Sequence, residues 1–369
     1  MIRHLYIHIP FCPRLCPYCS FFVVRSQRGL FAALVEKICA ELEWWKSQET
    51  FCLETVYFGG GTPSALDTHS LEKLVGRILL GQRPQEVTLE VNPSTVSLEK
   101  ACLLRQLGVT RISLGVQSFD DAELQTLGRQ HSANRTLKTY DILRKAGFDN
   151  INFDLIFAIP GSSLASWNRT LRKAVDLQPE HISAYCLTYE EGTPFHHKVK
   201  SGQWPTPDPE REESYYELTQ QFLADYGFQQ YEVSNYCRGE FYSLHNKAYW
   251  QGEDFLGLGP GSVSTIRGLR WKNCEDVSRY LSQVTFPAER SESEYLSATA
   301  LTKERLMLGL RTKWGVAVPA ELLDFFHTLS EAGLAECTEQ TWRLTQRGLR
   351  VADAIAVEIF HRIDELLKI

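Results

Sequence analysis

His8-Ile9-Pro10-Phe11-Cys12-Pro13-Arg14-Leu15-Cys16-Pro17-Tyr18-Cys19 sets three cysteines at C-x3-C-x2-C spacing, directly after a short apolar strand. A cubane [4Fe–4S] cluster takes four ligands, and cysteine thiolates are the usual ones. Three thiolates leave one iron open to a ligand that is not protein. Zinc is the competing reading, but structural zinc sites are closed and four-coordinate. No second C-x2-C pair completes one. The other seven cysteines, Cys39, Cys52, Cys102, Cys186, Cys237, Cys274 and Cys337, stand singly. The spacing favours a cluster over zinc or unpaired thiols.

Composition narrows the setting. The 369 residues suffice for one large domain and a small one. An apolar content of 43% is that of a soluble protein with a sizeable core. A net charge of −6 argues against a nucleic-acid binder held by phosphate contacts. The N-terminal residues run straight into a strand, without a signal-peptide core and cleavage site. No run approaches the roughly 18 apolar residues that cross a bilayer. Ten cysteines suit a reducing compartment, and the cytoplasm is expected. A peripheral membrane contact stays open.

Strands and helices alternate through the first half. Leu5–Ile9, Val56–Phe58, Val87–Val91, Ile112–Val116, Ile151–Phe157 and Ile182–Leu187 read as six strands. Leu30, Leu34, Ile38 and Leu42 recur every four residues and mark a helix. Further helices are expected over 71–80, 98–107 (stopped by Gly108), 136–145 and 167–177. Such crossovers imply a parallel α/β sheet. The strands read as nearly continuous apolar runs, the pattern of strands covered on both faces. Trp204-Pro205-Thr206-Pro207-Asp208-Pro209 breaks the pattern, and a helix follows over 210–226. The expected organisation is a barrel core over 1–230, a connecting region over 231–297 and a small C-terminal unit over 298–369. That last unit reads as helices, a hairpin over 334–344 and a final helix from Arg350. This is a winged-helix-like α+β pattern. From residue 301 onward it carries nine Lys and Arg against ten Asp and Glu. It therefore lacks the basic footprint of a DNA binder.

Several motifs end the expected strands. Gly59-Gly60-Gly61-Thr62-Pro63-Ser64 follows the second, where glycines let backbone approach a ligand closely. A tight strand–helix turn is the plainer alternative. Glu90-Val91-Asn92-Pro93 ends the third strand and Gly115-Val116-Gln117-Ser118-Phe119 the fourth. Asp154 sits among apolar residues of the fifth, where an acid needs partners. Arg129 follows a short helix, and an exposed Arg is usually a solvated charge. Further on, His245-Asn246-Lys247-Ala248-Tyr249-Trp250 joins an imidazole to flat aromatic surface. Imidazole is a common heme ligand, and aromatics stack on macrocycles. A packed structural histidine is the alternative.

Taken together, these pieces resemble the radical SAM superfamily, and within it the HemN/HemW family. The resemblance covers nearly the whole chain, including Tyr231-Glu232-Val233-Ser234-Asn235-Tyr236 and the C-terminal unit. It implies a partial (β/α)6 barrel with chemistry at the C-terminal strand ends. It implies a [4Fe–4S] cluster on Cys12, Cys16 and Cys19. S-adenosylmethionine (SAM) would bind the open iron, in a region lined by Tyr6, Tyr18, Gly60, Gly61, Thr62, Glu90, Gln117, Arg129 and Asp154. Ala158 and Val263 depart from residues frequent in relatives.

The resemblance has two functional branches. HemW-type members are heme chaperones; HemN-type members are oxygen-independent coproporphyrinogen III dehydrogenases. The dehydrogenases carry a further cysteine where Phe21 stands, and an N-terminal extension before the cluster. His245, Asn246, Tyr249 and Trp250 match a motif associated with heme binding in the chaperones. The chaperone branch is therefore expected, with heme or a porphyrinogen, a hemoprotein acceptor and an electron donor as partners. His4, His8, His181, His196 and His197 remain alternative axial ligands. A cluster-sensing DNA regulator is the third reading, disfavoured by the acidic C-terminal unit.

Overall fold

The computed structural model describes residues 1–366. Six strands lie side by side in sequence order: β1 (Ile2–Ile9), β2 (Phe51–Gly60), β3 (Glu86–Val91), β4 (Arg111–Gln117), β5 (Ile151–Phe157) and β6 (His181–Cys186). All five neighbouring pairs are parallel. Parallel neighbours need a crossover, and helices Phe31–Gln48, Thr68–Leu79, Leu98–Gln106, Ala133–Lys145 and Leu164–Asp176 supply them. Four of these helices start on a polar side chain. Asp67, Ser97, Ser132 and Ser163 each accept a bond from a first-turn amide. These caps start the second, fourth and fifth helices at Thr68, Ala133 and Leu164, three residues before the starts expected from the sequence.

The strands differ from the sequence reading in one decisive respect. They alternate apolar and polar residues rather than running continuously apolar, except at the end of β5, where Leu155, Ile156 and Phe157 follow one another. Leu5, Ile7, Val56, Phe58, Leu89, Ile112, Leu114, Phe153 and Ile182 are fully buried against the helices. Between them His4, Tyr6, His8, Thr55, Tyr57, Thr88, Glu90, Arg111, Ser113, Asn152, Asp154 and His181 turn the other way. A period-2 pattern separates two faces. Here both faces are covered, but the inner one is polar.

Residues 231–297, expected as a connecting region, contribute five strands to this same sheet. β7 (Asn235–Cys237) runs antiparallel to β6. β8 (Phe255–Leu258) pairs parallel with β1 as a seventh parallel strand. β9 (Val263–Ile266), β10 (Leu269–Asn273) and β11 (Arg290–Tyr295) continue antiparallel beyond it. With the two-residue strand Gln229–Gln230 antiparallel to β7 at one edge, the sheet has twelve strands and keeps two edges, so the barrel is open. Short strands such as these carry too few residues for a clear periodicity.

The C-terminal unit has a core of its own. Helices Ala298–Gly309, Leu323–Glu331 and Ala352–Leu366 pack Leu306, Phe326, Ile355 and Ile359 around Trp342 and Leu344. The latter two lie on the second strand of a hairpin, β12 (Ala335–Thr338) and β13 (Thr341–Leu344). Glu339 and Gln340 at its tip both have positive φ, the geometry of a two-residue turn that suits the strand twist. Phe326 is fully buried and touches Trp342 at 5.4 Å between ring centroids. Phe326→Ala should cost about 3–5 kcal/mol. Urea unfolding followed by tryptophan fluorescence checks this, with the C-terminal unit melting ahead of the barrel.

Candidate functional site

The C-terminal strand ends open into a cavity of about 400 Å³. Cys12, Cys16 and Cys19 form one wall, on the loop that leaves β1. Gly60, Gly61 and Thr62 follow β2, Glu90 ends β3, Gln117 ends β4, and Asp154 reaches in from β5. Tyr18 and Arg129 complete this group. Of the nine residues that the resemblance assigns to SAM, eight line this one cavity. Tyr6 does not; it lies beneath, bonded through its hydroxyl to His8 Nδ1 at 3.1 Å.

Local packing explains the glycines. Gly60 has φ of +104°, and a Cβ there would sit 2.6 Å from the His8 ring. A Cβ on Gly61 would lie 2.8 Å from the Pro10 backbone. The turn thus presses against the start of the cysteine loop, and only glycine allows that approach. Gln117 also has positive φ (67°), at a register shift between β4 and β5. Non-glycine residues are uncommon there, and such strain gathers at functional sites.

The cavity is strongly charged. Thr62 Oγ1 lies 3.6 Å from Cys12 Sγ, and Arg129 Nη1 lies 3.6 Å from Cys16 Sγ. Arg129 Nη2 also donates to the Gly115 carbonyl at 3.1 Å. Burial pushes the Cys12 thiol up to about 11, against the pull of Thr62. Burial, followed by repulsion from Asp154, pushes Glu90 up to about 8. The Tyr57 hydroxyl, which donates to Glu90 Oε1 at 2.9 Å, opposes that rise. Asp154 is also raised by burial, offset by bonds from Ser113 Oγ and Asn152 Nδ2, both 2.8 Å. A cationic ligand in this cavity would favour both ionised carboxylates.

The thiols suit a cluster better than a single ion. Among the described residues no three His, Cys, Asp or Glu side chains converge on one metal. A cubane takes each thiolate on a different iron, so its ligands need only line one cavity. All three cysteines are free and partly accessible. Arg129 Nε is buried at the same wall without a hydrogen-bond partner among the described residues. It is an unused donor of the kind a bound anionic group satisfies.

His245, Asn246, Tyr249 and Trp250 lie elsewhere. They occupy helix Leu244–Trp250, which closes the opposite end of the barrel. The Glu86 carboxylate, at the first residue of β3, accepts from the Leu244 and His245 amides at 2.9 and 3.1 Å. His245 is fully buried and held down to about 3 by burial, so its ring is neutral. Its Nδ1 bonds Thr55 Oγ1 at 2.7 Å, and its Nε2 bonds Tyr249 Oη at 2.9 Å. Thr55 bonds onward to His4 Nδ1, and His4 Nε2 to Glu253. Tyr249, His245, Thr55, His4 and Glu253 thus form one continuous hydrogen-bonded chain. Both ring nitrogens of His245 are engaged within the fold, so a metal would have to displace one of these bonds. The other candidate imidazoles of the strands are similarly engaged. His8 donates from Nε2 to the Phe22 carbonyl at 2.8 Å, and His181 bonds Asn152 and Tyr231 at 2.6 and 2.7 Å.

Tyr57, Ser113 and Tyr185 also line the cavity, outside the expected set. Each is polar at an inward position of an alternating strand, and that alternation is the signal that would have found them.

The sequence matches the radical SAM superfamily across residues 6–174. The heme chaperone HemW of Lactococcus lactis is 37% identical over 85% of this chain and 82% of its own length. HemW of Bacillus subtilis is 31% identical over 94% and 96%. A mitochondrial radical S-adenosyl methionine domain-containing protein 1 from Bos taurus is 32% identical over 98% and 88%. The chain belongs to the HemN/HemW family of radical SAM proteins. Its fold agrees with the crystallised Escherichia coli coproporphyrinogen III oxidase HemN, a radical SAM enzyme. That match has a TM-score of 0.82 at 21% identity and covers 96% of this chain and 89% of HemN. Membership implies a [4Fe–4S] cluster and SAM. No helix among the described residues is long and apolar enough to cross a membrane.

His245→Ala would leave Thr55 and Tyr249 without their shared partner. It should destabilise the barrel by about 2–3 kcal/mol, measured as a fall in the urea midpoint.

Proposed function

We propose that this chain is a heme chaperone that carries a [4Fe–4S] cluster, SAM and heme and passes heme to a hemoprotein. The observation that carries this reading is its similarity, across most of its length, to proteins named heme chaperone HemW. Cys12, Cys16 and Cys19 hold the cluster, with Thr62 and Arg129 facing two of the thiolates. Gly60, Gly61, Thr62, Gln117 and Arg129 frame the polar end of SAM, and Glu90 and Asp154 face its cationic and ribose groups. When bound and reduced, the cluster and SAM would supply radical chemistry to this cavity. The residues themselves bind, orient and exclude water. A reducing setting, hence the cytoplasm, keeps the thiolates competent, and an electron donor approaches the cysteine loop.

Porphyrinogen decarboxylation is the second reading, favoured by the shared fold with HemN. Phe21 speaks against it. It stands where the dehydrogenases carry a further cysteine, and it is 69% exposed at the cavity mouth.

Anaerobic heme titration of the cluster-reconstituted protein tests the proposal. Stoichiometric binding without protoporphyrinogen formation is expected; turnover without heme binding would overturn it. The axial ligand has a separate test. Tyr249→Phe removes the hydroxyl that occupies His245 Nε2, so a His245 ligand should then bind heme more tightly. Unchanged affinity would move the ligand away from His245.

A further inference from the structure

The stretch Tyr231-Glu232-Val233-Ser234-Asn235-Tyr236 lies outside both the cavity and the closing helix. It is a tight loop leading into β7. The Tyr231 amide donates to the Asn235 carbonyl at 3.1 Å, and the Ser234 amide to Glu232 Oε2 at 3.1 Å. Tyr231 is fully buried. Its hydroxyl and its carbonyl bond to two different parts of the molecule.

The hydroxyl leads to the cavity. It meets His181 Nε2 at 2.7 Å, and His181 Nδ1 meets Asn152 Oδ1 at 2.6 Å. Asn152 Nδ2 donates to Asp154 Oδ1 at 2.8 Å. Burial keeps the His181 ring neutral. An amide oxygen only accepts, so Nδ1 carries the ring proton and Nε2 accepts from Tyr231. The same hydroxyl accepts the Ser243 amide at 3.3 Å. Tyr231, His181, Asn152 and Asp154 are therefore bonded in unbroken succession up to the cavity wall.

The carbonyl leads to the C-terminal unit. It accepts the Lys313 amide at 2.9 Å, and Glu232 forms a β-bridge with Thr312. The Tyr231 ring packs on Trp314, with centroids 5.9 Å apart. Residues 312–316 are clamped to β13. Arg343 Nη1 donates to the Lys313 carbonyl at 2.9 Å, and Val316 and Trp342 exchange backbone bonds of 2.9 and 2.8 Å. Two further links between the unit and the barrel, Arg270–Glu304 and Arg350–Glu213, are partly exposed ion pairs, which contribute little. Tyr231 supplies the buried part of this joint.

We propose that Tyr231 couples the cavity to the C-terminal unit, so that a ligand held by Asp154 and the seating of residues 312–316 favour one another. The identity of the ligand rests on the SAM reading of the cavity; the coupling does not. A ligand that engages Asp154 fixes Asn152 and His181 behind it, because a buried donor or acceptor that shifts leaves its neighbour unpaired. The Tyr231 side chain is then held at its tip while its ring and carbonyl hold the unit. Linkage makes the effect reciprocal: the factor by which SAM favours seating is the factor by which seating favours SAM.

A merely structural tyrosine would loosen the joint equally with and without ligand, and the test reads that difference. Full-length, cluster-reconstituted protein is followed by backbone hydrogen exchange over residues 312–316, with and without SAM. Tyr231→Phe removes the hydroxyl and keeps the ring and carbonyl. SAM should slow this exchange about three- to tenfold in the wild type, the scale of one buried hydrogen bond, and leave it unchanged in Tyr231→Phe. Equal slowing in both proteins, or none in a wild type that binds SAM, overturns the proposal. A ligand-free arm separates the coupling from the SAM reading. Asp154→Ala releases Asn152 and should speed exchange over 312–316, and the increment should vanish when Tyr231→Phe is added. If the wild type does not bind SAM but Asp154→Ala speeds exchange in this way, the SAM reading falls and the coupling stands. Exchange unmoved by Asp154→Ala overturns the coupling. Should Tyr231→Phe fail to fold, Trp314→Leu loosens the joint from the other side. SAM affinity by calorimetry should then fall about three- to tenfold, and an unchanged affinity overturns the proposal.

Discussion

A polar interior enclosed by a parallel sheet has to satisfy its own hydrogen bonds, because no bulk water reaches it. Nearly every feature of this structure answers to that demand. Asn152 links Ser113, Asp154, His181 and Ser183 in one network. His181 passes it to Tyr231, whose hydroxyl also accepts the Ser243 amide at the start of the closing helix. Glu86 binds the next two amides of that helix. One end of the barrel is thereby sealed by matched donors and acceptors. The other end keeps its carboxylates, thiols and Arg129 turned toward an open cavity. The closed end fixes the strand register that the open end relies on.

The distinction between the two ends was only partly legible in the sequence. The six strands, their crossover helices and the cysteine loop announce themselves through local patterns: alternation, four-residue periodicity and C-x3-C-x2-C spacing. Residues that close strands, such as Gly60, Glu90 and Gln117, could be assigned to one rim because parallel strands share a direction. The inner polar face was harder. In Val87-Thr88-Leu89-Glu90-Val91 the branched Thr88 blends with its apolar neighbours, so the run reads as uniform, although Thr88 and Leu89 face opposite ways. Strands such as β8 and β9, four residues each, gain their place from tertiary pairing rather than from any periodicity of their own.

His245 illustrates a different limit. A histidine beside Tyr249 and Trp250 has the composition of a macrocycle site, and composition says nothing about which end of a barrel a helix will close. The structure spends both ring nitrogens on Thr55 and Tyr249. The same imidazole stacks on Tyr57 at 5.2 Å between centroids, and Tyr57 donates to Glu90. The motif and the cavity are therefore in contact through Tyr57, even though they lie on opposite sides of the barrel interior. A ligand that drew His245 out of its bonds would disturb the packing beneath Glu90, so the two ends are not mechanically independent.

Charge makes the same point from the side of the cavity. Two raised carboxylates, three thiols and Arg129 meet in a space of about 400 Å³. Without a ligand, the acids lean toward their neutral forms and Cys12 toward its protonated one, since burial disfavours each anion. Iron would make the thiolates its own ligands, and a sulfonium or ammonium would do for the carboxylates what burial prevents. Folding has placed acids and a thiol where burial raises them and a bound cation would draw them toward their ionised forms, and that is the physical sense in which this cavity is built to be filled.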